Sequence, residues 1–581
     1  MAIRKTKIVC TIGPASNTEA KLRELMLAGM DVARMNFSHG DHASHLVTLK
    51  LIEKVRDELG LPVAALLDTK GPEIRLGDFK EGKVLLKKGD YFTLTTRDIE
   101  GTQDIVSITY KNLPRDVKVG GRILIDDGLI ELEITDLTET DIACRVLNGG
   151  PVSNHKGVNV PNCQLSMPFI SEKDYKDLVF AAENGYDFVA ASFTRTAQDV
   201  LDMKKVLTEH GGENIRIIAK IENRQGIENI DEIIRAADGI MVARGDMGVE
   251  IPFEEVPILQ KIMIRKACEA GKAAITATQM LDSMMNNPRP TRAEAADVAN
   301  AIYDNTSAIM LSGETAAGKY PVEAVRTMAR IAMTTEAAID YGQALRERRQ
   351  PGDPDITNAI SHACCTTALD LNASAIVTVT KSGFTARMLS KYRPQSPIVA
   401  CVMEEQVRRQ LNLAWGVTPI RIGKKDSTDE LFELAVNSAE SAGIVRQGEV
   451  VVITAGIPLG ISGTTNMIKV HVVGHVLGRG VSTSSKIVSG NLCVCENEAS
   501  LAGNYKPGSI IVIKKTDNSM MPQLRTAAAL IVEEDGMDSH AAIVGMSLDI
   551  PVLLGVANAT QLLKQGAFVT VDGKQGIVYA N

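Results

Sequence analysis

The run Arg216-Ile217-Ile218-Ala219-Lys220-Ile221-Glu222 decides the fold class of this chain. It is short, largely apolar and rich in β-branched residues, which is typical of a buried strand that ends in charged side chains. Seven similar runs lie in the same part of the chain: Thr6–Ile12, Val32–Phe37, Val63–Leu67, Phe188–Phe193, Ile240–Ala243, Ala274–Thr278 and Ala308–Leu311. Helix-length amphipathic segments separate them, so we predict an α/β fold with eight parallel strands in a closed (β/α)₈ TIM barrel.

The rest of the chain has different residue patterns, which predict three further domains. Residues 71–168 contain short strands punctuated by Gly, Asp and Lys, which indicates a small β-barrel domain inserted between barrel residues 1–70 and 169–345. Insertions after barrel strands emerge at the catalytic face, so this one is expected to act as a lid. Residues 346–474 predict an open α/β domain, and the Gly-rich residues 475–581 predict an extra C-terminal domain.

Composition excludes several classes of protein. With 63 Lys and Arg against 71 Asp and Glu, the net charge of −8 provides no overall attraction to nucleic acid or an anionic membrane. No apolar run approaches the ~20 residues of a membrane span, and no signal-type segment is present, so we expect a cytoplasmic protein. Nine scattered cysteines without a paired CxxC pattern indicate reduced thiols.

The predicted strands end in polar residues that one barrel rim would bring together. They are Arg34, Asn36, Ser38, Asp68, Thr69, Lys220, Glu222, Asp246 and Thr278. Each of them alone could be a structural salt bridge or a loop cap. Gathered on the catalytic rim of a barrel, they indicate an active site.

Glu222 and Asp246 form a candidate metal site. Glu222 follows Lys220 by two residues, so both side chains point to the same side of the sheet. Asp246 arrives from the next strand, and two neighbouring carboxylates suit Mg²⁺. The absence of an HExxH-type spacing argues against zinc.

Two further groups could bind ions at this rim. The glycine-rich turn Ala243–Gly248 offers backbone N–H groups to a carboxylate or phosphate. Asn36, Ser38, Asp68 and Thr69 supply neutral oxygens and one negative charge, a donor set that fits a large monovalent cation. The same residues could equally cap loops.

Five blocks of sequence resemble the pyruvate kinase family. They are Met35-Asn36-Phe37-Ser38-His39-Gly40, Asp68-Thr69-Lys70-Gly71-Pro72-Glu73-Ile74-Arg75, Ile218-Ala219-Lys220-Ile221-Glu222-Asn223, Ala243-Arg244-Gly245-Asp246-Met247-Gly248 and Ala277-Thr278-Gln279-Met280-Leu281. The resemblance covers about Lys5 to Val473, in the family's order. It implies phosphoryl transfer from phosphoenolpyruvate to ADP in glycolysis, with Mg²⁺ or Mn²⁺ and K⁺ as cofactors.

The resemblance also implies roles for the rim residues. Lys220 would stabilise charge on the phosphoryl group and the enolate oxygen, while Glu222 and Asp246 hold Mg²⁺. The amides of Gly245 and Asp246 would receive the substrate carboxylate, and Thr278 would orient a proton-donating water chain. These groups serve a reaction that depends mainly on positioning and charge stabilisation.

Further implied roles concern phosphate and potassium binding. Arg34 and Arg75 would clamp phosphoryl oxygens, and Lys156 of the inserted domain would reach the nucleotide phosphates. The K⁺ ligands would be Asn36, Ser38, Asp68 and Thr69. Glu73 matches the residue that accompanies K⁺ dependence in this family.

A candidate effector site lies in the open α/β domain. Thr380, Lys381, Ser382, Gly383 and Thr385 follow a predicted buried strand and open a helix. These residues could form a phosphate cradle or an ordinary strand-to-helix turn. By resemblance, this loop binds a phosphorylated small-molecule effector.

The last domain resembles the mobile phosphohistidine domain of phosphoenolpyruvate-utilising enzymes. The resemblance rests on the segments 536–544 and 550–552, and the histidine of the motif matches His540. Asp538 stands where that motif usually has Thr, and its negative charge disfavours phosphorylation of the histidine. A structural or assembly role for the domain is therefore favoured.

Three alternatives to an active pyruvate kinase remain at this point. The first is a phosphoryl-shuttle protein that works through His540, and the second is a barrel lyase acting on pyruvate-like acids; neither needs the nucleotide lid that Lys156 implies. The third is a catalytically silent regulator of the same fold, against which the expected residue stands at each family position considered. The family resemblance further implies a homotetramer, although no sequence feature defines its interface.

Overall fold

The computed structural model describes residues 3–347, 355–425, 427–456, 465–474 and 476–580. They divide into two compact units, the first of residues 1–358 and 380–421 and the second of residues 359–379 and 422–581. Residue 475, at which the last predicted domain begins, lies outside the described residues.

The first unit contains a closed parallel barrel of eight strands, as predicted. The strands are Lys7–Thr11, Val32–Asn36, Ala64–Asp68, Phe188–Ala191, Arg216–Ile221, Gly239–Ala243, Ala273–Ala277 and Ala308–Leu311. Four of them end one or two residues earlier than the sequence pattern indicates, at Thr11, Asn36, Ala191 and Ala277. In the last two cases Phe193 and Thr278 adopt left-handed backbone conformations with φ of 58° and 68°. Such a conformation cannot continue a strand.

Helices surround this barrel. They are Glu19–Ala28, His42–Leu59, Glu172–Glu183, Ala197–Glu209, Arg224–Glu228, Ile230–Ala236, Arg244–Glu250, Val256–Glu269, Arg292–Tyr303, Gly313–Ala316, Pro321–Ala337 and Tyr341–Glu347, with a 3₁₀ turn at Asp282–Met285. Several begin with a side-chain cap: Thr196 and Thr291, for example, each accept a hydrogen bond from the amide three residues later. The main core lies between these helices and the strands.

The interior of the barrel changes from apolar to charged along each strand. Val32, Leu66 and Ile218 belong to one buried cluster inside the barrel. Two residues further along the same strands stand Arg34, Asp68 and Lys220. Because side chains alternate with a period of two, these charged groups also point inward, at the carboxyl ends of the strands.

The inserted segment is a small all-β domain. Its strands are Ile74–Arg75, Lys83–Leu86, Tyr91–Thr95, Ile105–Ser107, Arg122–Ile125, Ile130–Leu137, Asp141–Asn148, Gly150–Ser153 and Gly157–Asn159, with a short helix at Leu113–Asp116. Seven of them form one sheet whose edge strands are 74–75 and 105–107. A bridge between Leu76 and Ile108 joins these two edges, which closes the sheet into the predicted barrel.

The remainder of the first unit packs under the barrel. It consists of the helices Phe384–Lys391 and Glu405–Leu411 and the parallel strands Ile398–Val402 and Val417–Arg421. Leu413 belongs to the apolar cluster inside the barrel, so this segment closes the amino-terminal end of the barrel.

The second unit contains two groups of strands. The first comprises Ala375–Val379, Val450–Gly456 and Thr465–Val472, with the helices Ile356–Asp370 and Thr428–Ser441. The second is an eight-stranded sheet of Val476–Arg479, Val481–Ser482, Ile487–Val494, Ile510–Ile513, Ala529–Val532, Val552–Leu554, Phe568–Asp572 and Ile577–Ala580. Its helices are Glu498–Asn504, Met521–Leu524, His540–Leu548 and Ala559–Leu562, with a 3₁₀ turn at Asn518–Met520.

None of the helices in the described part of the chain combines the length and the apolar character that crossing a membrane requires.

One arrangement recurs at the amino-terminal ends of the barrel strands. Asp31, Asp187 and Asp238 each stand just before a strand and accept a hydrogen bond from a backbone amide of the neighbouring strand, at 2.7, 2.9 and 3.0 Å. Each carboxylate also binds an arginine, and Asp187 binds the side chain of Arg409 at 2.9 Å. Because Asp187 is fully buried, this ion pair anchors the helix Glu405–Leu411 to the barrel.

We predict that Asp187→Ala destabilises the protein by about 3–5 kcal/mol, because it leaves the buried Arg56 and the half-buried Arg409 without their shared carboxylate. The urea concentration at half-unfolding, followed by circular dichroism, measures the change. The control is Asp231→Ala, which breaks an exposed ion pair with Lys266 and should cost only about 0–1 kcal/mol. Equal effects of the two substitutions would contradict the anchoring role of Asp187.

Candidate active site

A buried cluster of opposite charges lies at the carboxyl ends of the barrel strands. The carboxylate of Asp68 accepts from Arg34 Nε at 2.6 Å and from Lys220 Nζ at 3.1 Å. Burial by itself would raise the pKa of Asp68, but the charges of Arg34 and Lys220 outweigh it and lower that pKa. Asp68 is therefore an anion that holds two cations in fixed positions.

Lys220 has three polar neighbours. Besides Asp68, its ammonium group lies 2.7 Å from Ser192 Oγ and 3.0 Å from Glu222 Oε1. Burial would lower the pKa of Lys220, but the carboxylates of Asp68 and Glu222 raise it above its usual value. Lys220 is consequently charged throughout the physiological pH range.

Glu222 is a buried carboxylate held at both oxygens. Its Oε2 accepts from the amide of Phe193 at 2.5 Å, and its Oε1 lies 3.0 Å from Lys220 Nζ as the partner in an ion pair. Burial raises the pKa of Glu222 to about 7, Lys220 opposes that shift, and Asp246 adds to it. A buried acceptor next to a second carboxylate fits Mg²⁺, which prefers carboxylate oxygens together with water or substrate oxygens.

The turn predicted at residues 243–248 is the start of the short helix Arg244–Glu250. The amide of Gly245 donates to Thr278 Oγ1 at 2.8 Å, and the Arg244 guanidinium donates to the Thr278 carbonyl at 2.7 Å. Thr278 is β-branched, so its left-handed backbone is strained, and these two bonds hold it in place. That the Gly245 amide receives a substrate carboxylate stays a prediction, since the Thr278 hydroxyl accepts from it here.

The predicted potassium ligands lie on two neighbouring strands. Asn36 is paired in register with Asp68. Asn36 Oδ1 accepts from the amide of Ser38 at 3.1 Å, which folds Ser38 back toward that strand end. Thr69 Oγ1 donates to the carbonyl of Ala190 at 3.2 Å. The structure thus brings Asn36, Asp68 and Thr69 to adjacent strand ends. Potassium binding by these residues stays a prediction.

A cavity of about 490 Å³ separates the barrel rim from the inserted domain. Its lining includes the predicted nucleotide-binding residues Arg75 and Lys156 together with Asp246. Arg75 binds Glu73 at 2.7 Å, and Lys156 binds Asp126 at 2.8 Å. Both cations are therefore held at the surface that an anionic ligand would meet.

The predicted effector residues lie elsewhere and do not line this cavity. Lys381 is exposed and Thr380 is buried, with its amide donating to the carbonyl of Cys401 at 3.1 Å. Gly383 has a φ of 76° and precedes the helix Phe384–Lys391. A strand-to-helix turn with an exposed lysine is confirmed, and effector binding stays a prediction.

His540 opens the helix His540–Leu548 of the second unit. Its two ring nitrogens lie 2.8 Å from Thr516 Oγ1 and 3.1 Å from Asn518 Oδ1. Both nitrogens thus have partners within the domain. The structural role of this histidine stays a prediction.

Sequence reasoning missed Ser192 and the amide of Phe193. The Ser192 hydroxyl lies 2.7 Å from the Thr69 carbonyl and 3.2 Å from Asp68 Oδ1, in addition to its contact with Lys220. Both residues lie in the predicted run Phe188–Phe193, which contributes none of the rim residues predicted from the sequence. Their position just after the strand Phe188–Ala191 was the available signal.

Comparison with known proteins gives a consistent result. Residues 3–325 match the family model for the pyruvate kinase barrel domain, residues 358–471 the pyruvate kinase alpha/beta domain, and residues 505–576 the mobile domain of PEP-utilising enzymes. The chain is 51% identical over 579 residues to a pyruvate kinase of Bacillus licheniformis, covering 99% of both chains. It is also 51% identical over 578 residues to one of Geobacillus stearothermophilus, covering 99% of this chain and 98% of the relative.

A solved structure supports the same relationship. The crystal structure of a pyruvate kinase from Cryptosporidium parvum matches with a TM-score of 0.77 and 38% identity. The match covers 81% of this chain and 96% of that one.

We predict that Ser192→Ala lowers kcat of the phosphoryl-transfer reaction by roughly tenfold or more, since hydrogen bonds to charged groups contribute about 1.5–3 kcal/mol. The KM for the nucleotide should change little, because Ser192 positions Lys220 and does not line the cavity beside the inserted domain. Steady-state kinetics separate the two parameters. Ser438→Ala, which removes a hydroxyl bonded to the Leu434 carbonyl at 2.7 Å, is the control and should leave kcat unchanged. A normal kcat for Ser192→Ala would refute the positioning role.

Proposed function

The chain belongs to the pyruvate kinase family, and we propose that Lys220 is the central catalytic group of its reaction. The enzyme transfers the phosphoryl group of phosphoenolpyruvate to ADP and produces pyruvate and ATP. The observation that carries the proposal is the buried ammonium of Lys220, held 3.1 Å from Asp68 and 3.0 Å from Glu222. It lies at the catalytic end of the barrel, where the other candidate groups converge.

Lys220 would stabilise the negative charge that the reaction creates. The bond between phosphorus and the enol oxygen breaks, and a bond to a terminal oxygen of ADP forms. The enolate that remains takes up a proton on its methylene carbon and becomes pyruvate. A cation fixed beside the departing oxygen lowers the energy of this step, and fixed charges need no reorganisation when the charge moves.

Glu222 and Asp246 would hold a divalent cation, Mg²⁺ or Mn²⁺. The ion, when bound, neutralises charge on the phosphoryl and enolate oxygens. Glu222 contributes a buried carboxylate that Lys220 holds in place at 3.0 Å, and binding of a cation would relieve the electrostatic repulsion between Glu222 and Asp246. Pyruvate kinases generally require Mg²⁺ and K⁺, and we assign K⁺ to Asn36, Ser38, Asp68 and Thr69.

The remaining roles follow from position. Arg34, fixed by Asp68 and by Thr11 Oγ1 at 2.8 Å, would bind phosphoryl oxygens. Arg75 and Lys156 would bind the nucleotide phosphates from the inserted domain. The substrate carboxylate would displace the Thr278 hydroxyl from the Gly245 amide, which frees that hydroxyl to orient a proton-donating water.

For the whole enzyme we propose a homotetramer in the cytoplasm whose activity responds to a phosphorylated effector. The effector would bind at Thr380, Lys381, Ser382, Gly383 and Thr385, where an exposed cation adjoins a helix start. For His540 we propose a structural role, since its two ring nitrogens are hydrogen-bonded within its domain.

The catalytic proposal is tested by pyruvate release from phosphoenolpyruvate and ADP. Lys220→Met should lower kcat by about 10²–10³-fold or more, because it removes a preorganised cation. Omission of Mg²⁺ should abolish turnover of the wild type, and omission of K⁺ should reduce it. Lys266→Met, at a half-buried lysine paired with the exposed Asp231 away from the candidate site, is the control and should keep full activity. Pyruvate release without ADP would instead support the His540 shuttle or a lyase.

The effector site has its own test. The double substitution Lys381→Ala with Ser382→Ala should keep the basal turnover and lose the activation by sugar phosphates, because it removes the cation and a hydroxyl from the cradle. Phosphoenolpyruvate saturation curves with and without the sugar phosphate measure this response. Lys424→Ala, at another exposed lysine nearby in the sequence, should retain it. Full activation in the double variant would place the effector elsewhere.

A further inference from the structure

A second cavity lies at the opposite end of the barrel from the candidate active site. It is lined by residues at the amino-terminal ends of the strands, among them Phe188 and Arg216, and by the segment 387–415 that closes this end. Its volume is about 40 Å³. One buried water needs roughly 10–15 Å³ on this measure, so the space suits a few waters or one small ion and excludes a nucleotide.

The cavity wall carries an excess of positive charge. Five cations line it, Arg216, Lys272, Arg387, Lys391 and Arg393, against the single carboxylate of Asp238. That carboxylate is bound by Arg216 at 2.9 Å. Lys272 and Arg387 form no ion pair with the described residues, and Asp238 is the carboxylate of the lining that acts on both.

Lys272 shows how these cations are bound by neutral groups. Its ammonium donates to the carbonyls of Arg235 and Ala237 at 2.9 and 2.6 Å, and to that of Ile234. Carbonyl oxygens satisfy its hydrogen bonds and leave its net charge in place. Burial lowers the pKa of Lys272 to about 8, Asp238 opposes that shift, and the cations Lys204, Arg387 and Arg216 add to it.

Arg387 can offer an anion more N–H donors than Lys272 can. Its Nη1 donates to the Ser382 carbonyl at 3.1 Å, and its guanidinium forms no ion pair with the described residues. The group has five N–H donors in a planar fork that matches the oxygens of phosphate or sulfate. Burial and the charge of Arg216 lower the pKa of Arg387 to about 10, which an anion in the cavity would reverse.

We propose that this cavity is a binding site for one small tetrahedral oxyanion of the size of inorganic phosphate, with Arg387 as its principal ligand. The anion would balance the charge that Lys272 and Arg387 bring into the wall. The residues of the loop 380–383 do not line this cavity, so the site is distinct from the predicted effector cradle, which the Arg387 side chain contacts through the Ser382 carbonyl.

The cavity contains its own reporters. Trp415, the only tryptophan of the chain, lines it and is 4% exposed, so its fluorescence responds to a change of charge within the cavity. Cys268 also lines it and is half-buried, whereas Cys163 is half-buried and lines the larger cavity beside the inserted domain. Alkylation of these two thiols, followed by mass spectrometry, reports separately on phosphate in this cavity and in the active-site cavity.

The experiment titrates the full-length protein with inorganic phosphate, with chloride added to hold the ionic strength constant. We expect a saturable change in Trp415 fluorescence and slower alkylation of Cys268, while any change at Cys163 reports phosphate in the active-site cavity. Arg387→Gln should weaken the apparent affinity for phosphate at least tenfold by both measures. Arg235→Gln, at an exposed arginine of the helix Ile230–Ala236, is the matched control and should behave as the wild type.

The outcomes separate this site from the effector loop. Protection of Cys268 that persists when Lys381 and Ser382 are replaced by alanine, and disappears in Arg387→Gln, supports the proposal. Phosphate that leaves the alkylation of Cys268 unchanged in the wild type overturns it. Equal protection in Arg387→Gln and in the wild type also overturns it.

Discussion

The buried carboxylate of Asp68 is the group on which the candidate active site depends. It has no exposed surface and binds both Arg34 and Lys220. A buried charge without its partner costs about 3–5 kcal/mol, so these three side chains are stable only as a set. Arg34 and Asp68 come from adjacent strands, and Lys220 comes from a strand two positions further around the barrel. Ser192, at the end of the strand between, bridges the gap.

The same constraint explains the distribution of polarity inside the barrel. A sealed interior admits charged groups only where they can pair, and elsewhere it must be apolar. The layer containing Leu66 and Ile218 has no polar partners and is filled with aliphatic side chains. The next inward layer contains Asp68 and Lys220, which satisfy each other. The chemistry therefore lies at the carboxyl ends of the strands, where solvent and substrate can reach these charges.

The charged groups at the amino-terminal end of the barrel have a structural role. Carboxylates such as Asp187 and Asp238 accept from strand amides and from arginines, so they stabilise the strand ends and attach the closing segment. Arg387 and Lys272, by contrast, donate to backbone carbonyls and form no ion pair with the described residues. Positive charge thus accumulates at this end in a space too small for a nucleotide, whereas the larger cavity lies at the active-site end.

The sequence by itself determined the eight strands, the inserted β domain, and the candidates Lys220, Glu222, Asp246 and Asp68. It could do so because strand periodicity and charged strand ends are local patterns. The tertiary structure alone decided the partners of these groups. Ser192 meets Lys220 across 28 residues of chain, and Arg409 meets Asp187 across 222. Such contacts depend on how strands close around the barrel and how later segments pack beneath it, which no local pattern encodes. The left-handed turn at Thr278 likewise follows from bonds to Arg244 and Gly245, because a β-branched residue does not adopt that conformation by its own preference.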